Sequence, residues 1–283
     1  MQNRMPLVVF LALLVLFSAA MDALVIASGF AMLVVVGLMW SVALAAFVTM
    51  RLWAISLSEL GWSWGATRYH AMAVALPLGY GSAAYGLAGA LGLASFPAQG
   101  RIEMIAHSQH LDILGAPLGF AVAMALSLTV GLIQSMARSL GEEIGWRGFF
   151  TPRLAALIGF TGTSLVVGAI WAVWHMPLIV FSAYNGGGDV GFELLSFFVM
   201  VVSMTAAMTW LRLKSASLWP CVTFHAAHNL LIQSIFDNLT QRGPDRITMV
   251  GEFGVVLAAT VFVFSLPFWI MGRRDNAFRS ATG

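Results

Sequence analysis

Apolar runs of about 20 residues recur along the whole chain, and that is the length an α-helix needs to cross a hydrocarbon core of roughly 30 Å. No water is available in such a core to satisfy backbone polar groups, so runs of this kind fold as helices. Matching them to helix length gives eight spans, over about 6–27, 30–50, 71–94, 117–140, 163–183, 191–211, 217–236 and 251–271. No stretch between them is long enough for a separate soluble domain. Residues 1–283 therefore read as a single all-α membrane domain, a polytopic bundle of about eight transmembrane helices. Composition agrees: 60% of the residues are hydrophobic and 9% charged, against roughly 25% charged in a soluble domain. The one cysteine, Cys221, excludes an intrachain disulfide and a cysteine-rich zinc site. The basic residues are scattered singly and form no tract, so no nucleic-acid partner is expected.

The opening "MQNRMPLVVFLALLVLFSAA" has a basic start, an apolar middle and small residues after it, which also fits a cleaved leader. The apolar run continues past Asp22 to Ala27, longer than a leader's apolar segment, and this favours a first span. A cytoplasmic N-terminus places Arg4, Arg51, Arg68, Arg138, Arg147, Arg153, Arg212, Lys214, Arg273, Arg274 and Arg279 inside, and only Arg101, Arg242 and Arg246 outside. Because cytoplasmic loops carry the excess of Lys and Arg, both termini are expected in the cytoplasm. Trp210 and Trp219 flank the basic turn "LRLKSAS" as interfacial aromatics do, and "NGGGDVG" reads as an outer turn. The longest loops, about 95–116 and 237–250, are then outer ones, and His107 and His110 read as solvated loop residues. Short loops and the use of arginine over lysine point to a bacterial inner membrane. No internal repeat is visible.

Ionisable groups at membrane depth cost on the order of 2.5–3.5 kcal/mol each and usually face a cavity or one another. In "GEEIGWRGFF", Glu143 and Arg147 stand at i and i+4, close enough to pair, while Glu142 points about 100° away. One glutamate can thus be neutralised and the other left available; an ordinary ion pair at headgroup level fits the spacing equally well. In "AIWAVWHMPL", Trp171 precedes His175 by one turn and Pro177 follows it, disturbing the helix beside the histidine. In "CVTFHAAHNLL", His225 and Asn229 lie one turn apart with His228 on their flank. Asn can orient a histidine or donate to a developing oxyanion, and both residues also serve as polar links between membrane helices. Cys221, His225 and Asn229 at i, i+4 and i+8 could align as a thiol nucleophile, a base and an orienter. Glu142, His175 and His225 are also residue types that hold zinc, although no HExxH pair is present.

Taken together, "EEIGWR", "WAVWH" and "HAAHN" resemble the membrane CAAX-protease and bacteriocin-processing family, which includes the type II CAAX prenyl endopeptidases. The resemblance covers about residues 117–236, the expected catalytic core. It implies a bundle of about eight helices with an intramembrane cavity open to the cytoplasm, and it implies peptide hydrolysis with no cofactor. Carried over to this sequence, the family pattern makes Glu142, His175, His225 and Asn229 catalytic, with Glu143 and Arg147 in support. Where the family often has phenylalanine, this chain has Trp171. The implied partners are a hydrophobic or membrane-associated peptide and the lipids themselves.

On this reading Glu142, assisted by His175, takes a proton from water, and the hydroxide attacks a peptide carbonyl while His225 and Asn229 donate to the oxyanion. One geometric difficulty follows from the span boundaries. Counted from the cytoplasmic ends at 1.5 Å per residue, Glu142 is shallow, His225 lies at about 12 Å and His175 at about 18 Å. They meet only if the fourth span continues past Arg138, with Gly141, Gly145 and Gly148 permitting close approach. The alternatives are a non-catalytic binding protein of the same fold, including a bacteriocin-immunity role, and a small transporter relaying protons through the same residues.

Overall fold

The computed structural model describes residues 4–243, 246 and 248–275. It is an all-α bundle. The helices are α1 (Met5–Ala27), α2 (Met32–Leu52), α3 (Thr67–Ala90), the short α4 (Gln99–Ser108), α5 (Ala116–Leu126), α6 (Leu132–Glu143), α7 (Thr151–Phe181), α8 (Val190–Ser215), α9 (Trp219–His228) and α10 (Val255–Arg274). Among the described residues six helical stretches are long and apolar enough to cross a membrane, Pro117–Phe181 counting as one of them. The chain is an integral membrane protein. Leu33, Ile133, Phe181 and Leu195 are among the large apolar side chains left exposed on its flanks, the surface that hydrocarbon covers.

The fourth span does not end near residue 140. α5 passes through a π-helical stretch, Ser127–Gly131, into α6, and α6 continues through a second, Ile144–Phe150. Glu142 therefore sits deep in the bundle, 1% exposed, rather than at headgroup level. Glycines make this depth possible. A Cβ on Gly141 would lie 2.8 Å from the Trp40 ring, and one on Gly145 would lie 2.6 Å from Val42 Cγ1 and 2.8 Å from the Val42 carbonyl oxygen. No side chain fits at these contacts, so α6 lies directly against α2.

α7 is broken at Gly159, whose φ of 69° lies in the region that only glycine enters freely. Residues 151–158 form the connection from the fourth span, and residues 160–181 form the fifth. α9 continues past His228 through a third π-helical stretch, Asn229–Phe236, and a last turn, Asp237–Leu239. The segment that also fits a leader, α1, is packed into the bundle through Phe10, whose ring centroid lies 5.1 Å from that of Phe149 and 5.4 Å from that of Phe150.

The two membrane faces are distinct. On the termini face, Arg153 pairs with Glu59, Lys214 pairs with Asp275, and the Trp219 indole N–H donates to the Trp62 carbonyl oxygen. On the opposite face Ala94–Ser95 pairs antiparallel with Gln241–Arg242, the Ala98 N–H donates to Leu239 O, and Phe30 stacks on Tyr184. The loop at 95–116 is not structureless, since it contains α4; His107 lies on α4 and His110 just beyond it, both exposed.

Three basic residues sit elsewhere than a simple loop count places them. Arg138 lies beside Met32, toward the face opposite the termini, while Arg147 and Arg212 are buried. Arg279 lies outside the described residues. The basic excess of the termini face thus rests on Arg4, Arg51, Arg68, Arg153, Lys214, Arg273 and Arg274, against Arg101, Arg138, Arg242 and Arg246 on the other face.

Candidate active site

The acidic pair divides as its spacing predicts. Arg147 Nη1 donates to Glu143 Oε1 at 2.8 Å, with both side chains fully buried. The same oxygen lies 3.0 Å from His225 Nδ1. A carboxylate only accepts, so His225 presents its Nδ1–H to Glu143 and turns Nε2 away from it. Arg147 is held from two further sides: Nη2 lies 3.4 Å from Thr205 Oγ1 on α8, and Arg212 Nε donates to the Arg147 carbonyl oxygen at 2.8 Å. A buried arginine and glutamate are tolerated because each charge meets the other with hydrogen-bonding geometry.

Glu142 faces the other way. Its Oε2 accepts from the Trp171 indole N–H at 2.8 Å, and the Arg147 guanidinium carbon lies 4.1 Å from the centroid of that indole. Trp171 thus separates the paired glutamate from the available one, making a cation–π contact on its face and a hydrogen bond at its edge. One turn along α7, His175 Nδ1 lies 2.9 Å from the Trp171 carbonyl oxygen. That oxygen can only accept, so Nδ1 carries the proton and Nε2 holds the lone pair. Pro177 lies within the same helix and lacks the N–H that would reach the Val173 carbonyl oxygen.

On α9, Asn229 begins the third π-helical stretch, a local widening often found at functional sites. Asn229 Oδ1 lies 3.5 Å from Gln233 Nε2. His228 takes a different direction, its Nδ1 being 2.6 Å from the Tyr80 hydroxyl.

Glu142, His175, His225 and Asn229 all line one cavity of ≈ 350 Å³. Its wall also includes Ser127 and Gly131 from the first π-helical stretch, Arg138, and Phe30 and Tyr184 from connections on the face opposite the termini. No residue of the 53–66 or 216–218 connections on the termini face contributes. The lining thus comes from the part of the bundle that lies toward the face opposite the termini. A smaller pocket of ≈ 20 Å³ adjoins the site, lined by His175, His225, His228, Asn229, Tyr184 and Glu252 among others.

The thiol arrangement is not formed. Cys221 is buried and its Sγ lies 3.3 Å from the Met208 carbonyl oxygen on α8, and Cys221 lines neither cavity. The i, i+4, i+8 spacing puts Cys221 on the same helix as His225 and Asn229, but one turn nearer the termini face. Among the described residues no three His, Cys, Asp or Glu side chains converge closely enough to hold a metal ion. The Glu142, His175 and His225 set does not fit zinc as arranged here.

Several polar residues around the site were not evident from sequence. Thr205 completes the shell of Arg147, and Gln233 and Glu252 stand behind Asn229. Glu252 carried a readable signal, a lone acid in the apolar "MVGEFGVV" at the head of the last span. Gln233 carried one as well, four residues beyond Asn229 on the same helix.

Residues 123–231 match the family model described as type II CAAX prenyl endopeptidase Rce1-like. All six site and supporting positions fall within that stretch. The chain is also similar to a CAAX prenyl protease 2 from Methanococcus maripaludis, 31% identical over 96 residues that make up 31% of this chain and 34% of that protein. The match thus spans about a third of that relative's length, and the resemblance to the endopeptidase family model covers the stretch that carries Glu142, His175, His225 and Asn229.

Proposed function

We propose that this chain is an intramembrane endopeptidase that hydrolyses a peptide bond near the C-terminus of a hydrophobic or membrane-associated peptide, using a water activated by Glu142 and His175. The observation that carries the reading is the convergence of Glu142, His175, His225 and Asn229, from three helices distant in sequence, on one cavity inside the bundle. The Rce1-like match over the same helices supports the reaction class.

Each group has a part that its geometry suits. Glu142, with Oε2 held by Trp171, keeps Oε1 to take a proton from water. His175 offers Nε2 as a second acceptor to orient that water. The hydroxide adds to the carbonyl carbon, and the charge that develops on the carbonyl oxygen meets donors from Asn229 and His225. For His225 to donate from Nε2 while Nδ1–H faces Glu143, the ring carries both protons; Glu143 is placed to balance that charge. Collapse of the tetrahedral intermediate breaks the C–N bond, and the proton held by Glu142 passes to the leaving amine. No covalent enzyme intermediate is formed.

The test is cleavage of quenched fluorescent peptides, prenylated and unprenylated, by the protein reconstituted in lipid vesicles. Glu142→Gln and His225→Ala are expected to lower kcat by about 10²–10⁴-fold. A well-folded wild type that cleaves none of the panel but binds one of its peptides would turn the cavity into a recognition site.

A further inference from the structure

We propose that Glu252 is a positioning residue that sets the orientation of the Asn229 amide through Gln233; this rests on the oxyanion role of Asn229 proposed above. Gln233 Nε2 donates to Glu252 Oε1 at 2.8 Å and reaches Asn229 Oδ1 at 3.5 Å. A carboxylate offers no donor, so Gln233 turns its NH2 toward Glu252, and the second hydrogen of that NH2 faces Asn229. Asn229 must then meet it with its carbonyl oxygen. Its own NH2 is left to point away from Gln233 and free for another partner; Asn229 and Gln233 both line the cavity. The reverse orientation would set two NH2 groups against each other at a half-buried contact. The acceptor-only character of Glu252 thus fixes, two side chains away, which end of the Asn229 amide is offered to the cavity.

Glu252 is itself held in place. The Tyr184 hydroxyl donates to the same Oε1 at 2.9 Å, and the Glu252 backbone N–H donates to Asp237 Oδ2 at 3.2 Å. His228 Nε2 lies 4.0 Å from Oε1. The residue before it, Gly251, has φ of 110° and stands where a side chain would meet the Arg242 guanidinium, so the turn that delivers Glu252 requires glycine. At 5% exposure this carboxylate is buried, and among the described residues no Lys or Arg is hydrogen-bonded to it. Burying a charge is costly unless it is satisfied, and the donors found here are the Tyr184 hydroxyl and the Gln233 amide, of which Gln233 also reaches Asn229.

The test compares kcat and KM for Glu252→Gln, for Asn229→Ala, for the two combined, and for the swap of Glu252→Gln with Gln233→Glu. Glu252→Gln is expected to lower kcat about tenfold with KM unchanged, and to have less than about a twofold effect on top of Asn229→Ala, because coupled residues are not additive. The swap keeps the amide and the carboxylate in contact but leaves position 233 without a donor, so Asn229 turns its NH2 toward it. It is therefore expected to unfold near the wild-type temperature yet turn over as slowly as Asn229→Ala. A swap that restores the wild-type kcat, or a Glu252→Gln effect that persists in full beside Asn229→Ala, overturns the proposal. Asn229→Ala at the wild-type rate counts instead against the oxyanion role itself. A readout independent of turnover is the affinity for a peptide phosphinate, whose tetrahedral oxygens mimic the intermediate. Glu252→Gln should weaken it about tenfold and leave a ground-state peptide unaffected; equal weakening of both would overturn the relay.

Discussion

Trp171 donates its indole N–H to Glu142 Oε2 at 2.8 Å, a bond that a phenylalanine at this position could not make. The indole thus ties one oxygen of the proposed base to α7. Trp171→Phe keeps the ring over Arg147 and removes only the donor. A hydrogen bond of this kind contributes about 1 kcal/mol net, so kcat should fall about fivefold with KM unchanged, measured by peptide cleavage in vesicles.

The Glu143–Arg147 pair gives a prediction on stability. Arg147→Met removes the cation and leaves Glu143 buried beside His225 alone, which should cost about 3–5 kcal/mol. Combining Arg147→Met with Glu143→Gln removes both charges and should recover much of that loss. Thermal unfolding in detergent micelles measures both, and activity should stay low in the double variant because His225 has lost its carboxylate.

Gly145→Ala puts a methyl group 2.6 Å from Val42 Cγ1 and 2.8 Å from a backbone oxygen that cannot move aside easily. Overpacking of this sort costs about 1–3 kcal/mol, and here it also shifts the turn that carries Glu142. Gly86→Ala on α3 is the control, with nothing within 4 Å of the new Cβ. It should leave activity intact and stabilise slightly, since alanine is the better helix former.

Cys221→Ala tests the thiol alignment directly. With Sγ turned to Met208 and away from both cavities, the variant should keep wild-type kcat, and thiol-alkylating reagents should leave the wild type active.

The face on which the cavity opens can be read by labelling Ala66→Cys and Ala183→Cys, both at exposed positions, in a Cys221→Ala background. The two should label from opposite sides of the membrane. The basic excess of the termini face predicts that Ala66→Cys reacts only after permeabilisation, with Ala183→Cys and the Tyr184 side of the cavity toward the outer face. The reverse pattern puts the termini outside.

The span count and the pairing of Glu143 with Arg147 were legible because they depend on local periodicity: run length in one case, i to i+4 spacing in the other. The close approach through Gly141 and Gly145 was legible for a similar reason, as glycines on one stripe of a membrane helix mark contact. The end of the fourth span was not, because Ile144–Phe150 continues the helix with π hydrogen bonding that leaves no periodic mark. That misplaced boundary alone made Glu142 seem too shallow to meet His175 and His225. Glu252 escaped notice because its partners come from elsewhere in the chain, Gln233 from the third π-helical stretch and Tyr184 from the connection after α7, and only the folded chain brings them together.

The glycine contacts between α6 and α2 have a mechanical side. Two helices whose backbones already touch cannot be pressed closer, and sliding would drive Trp40 and Val42 into the neighbouring turn. The helix bearing Glu142 thus behaves as the fixed jaw of a vice, its bite set by α2. Room for a peptide must then come from the other walls of the cavity, among them the π-helical stretch that borders it through Ser127 and Gly131.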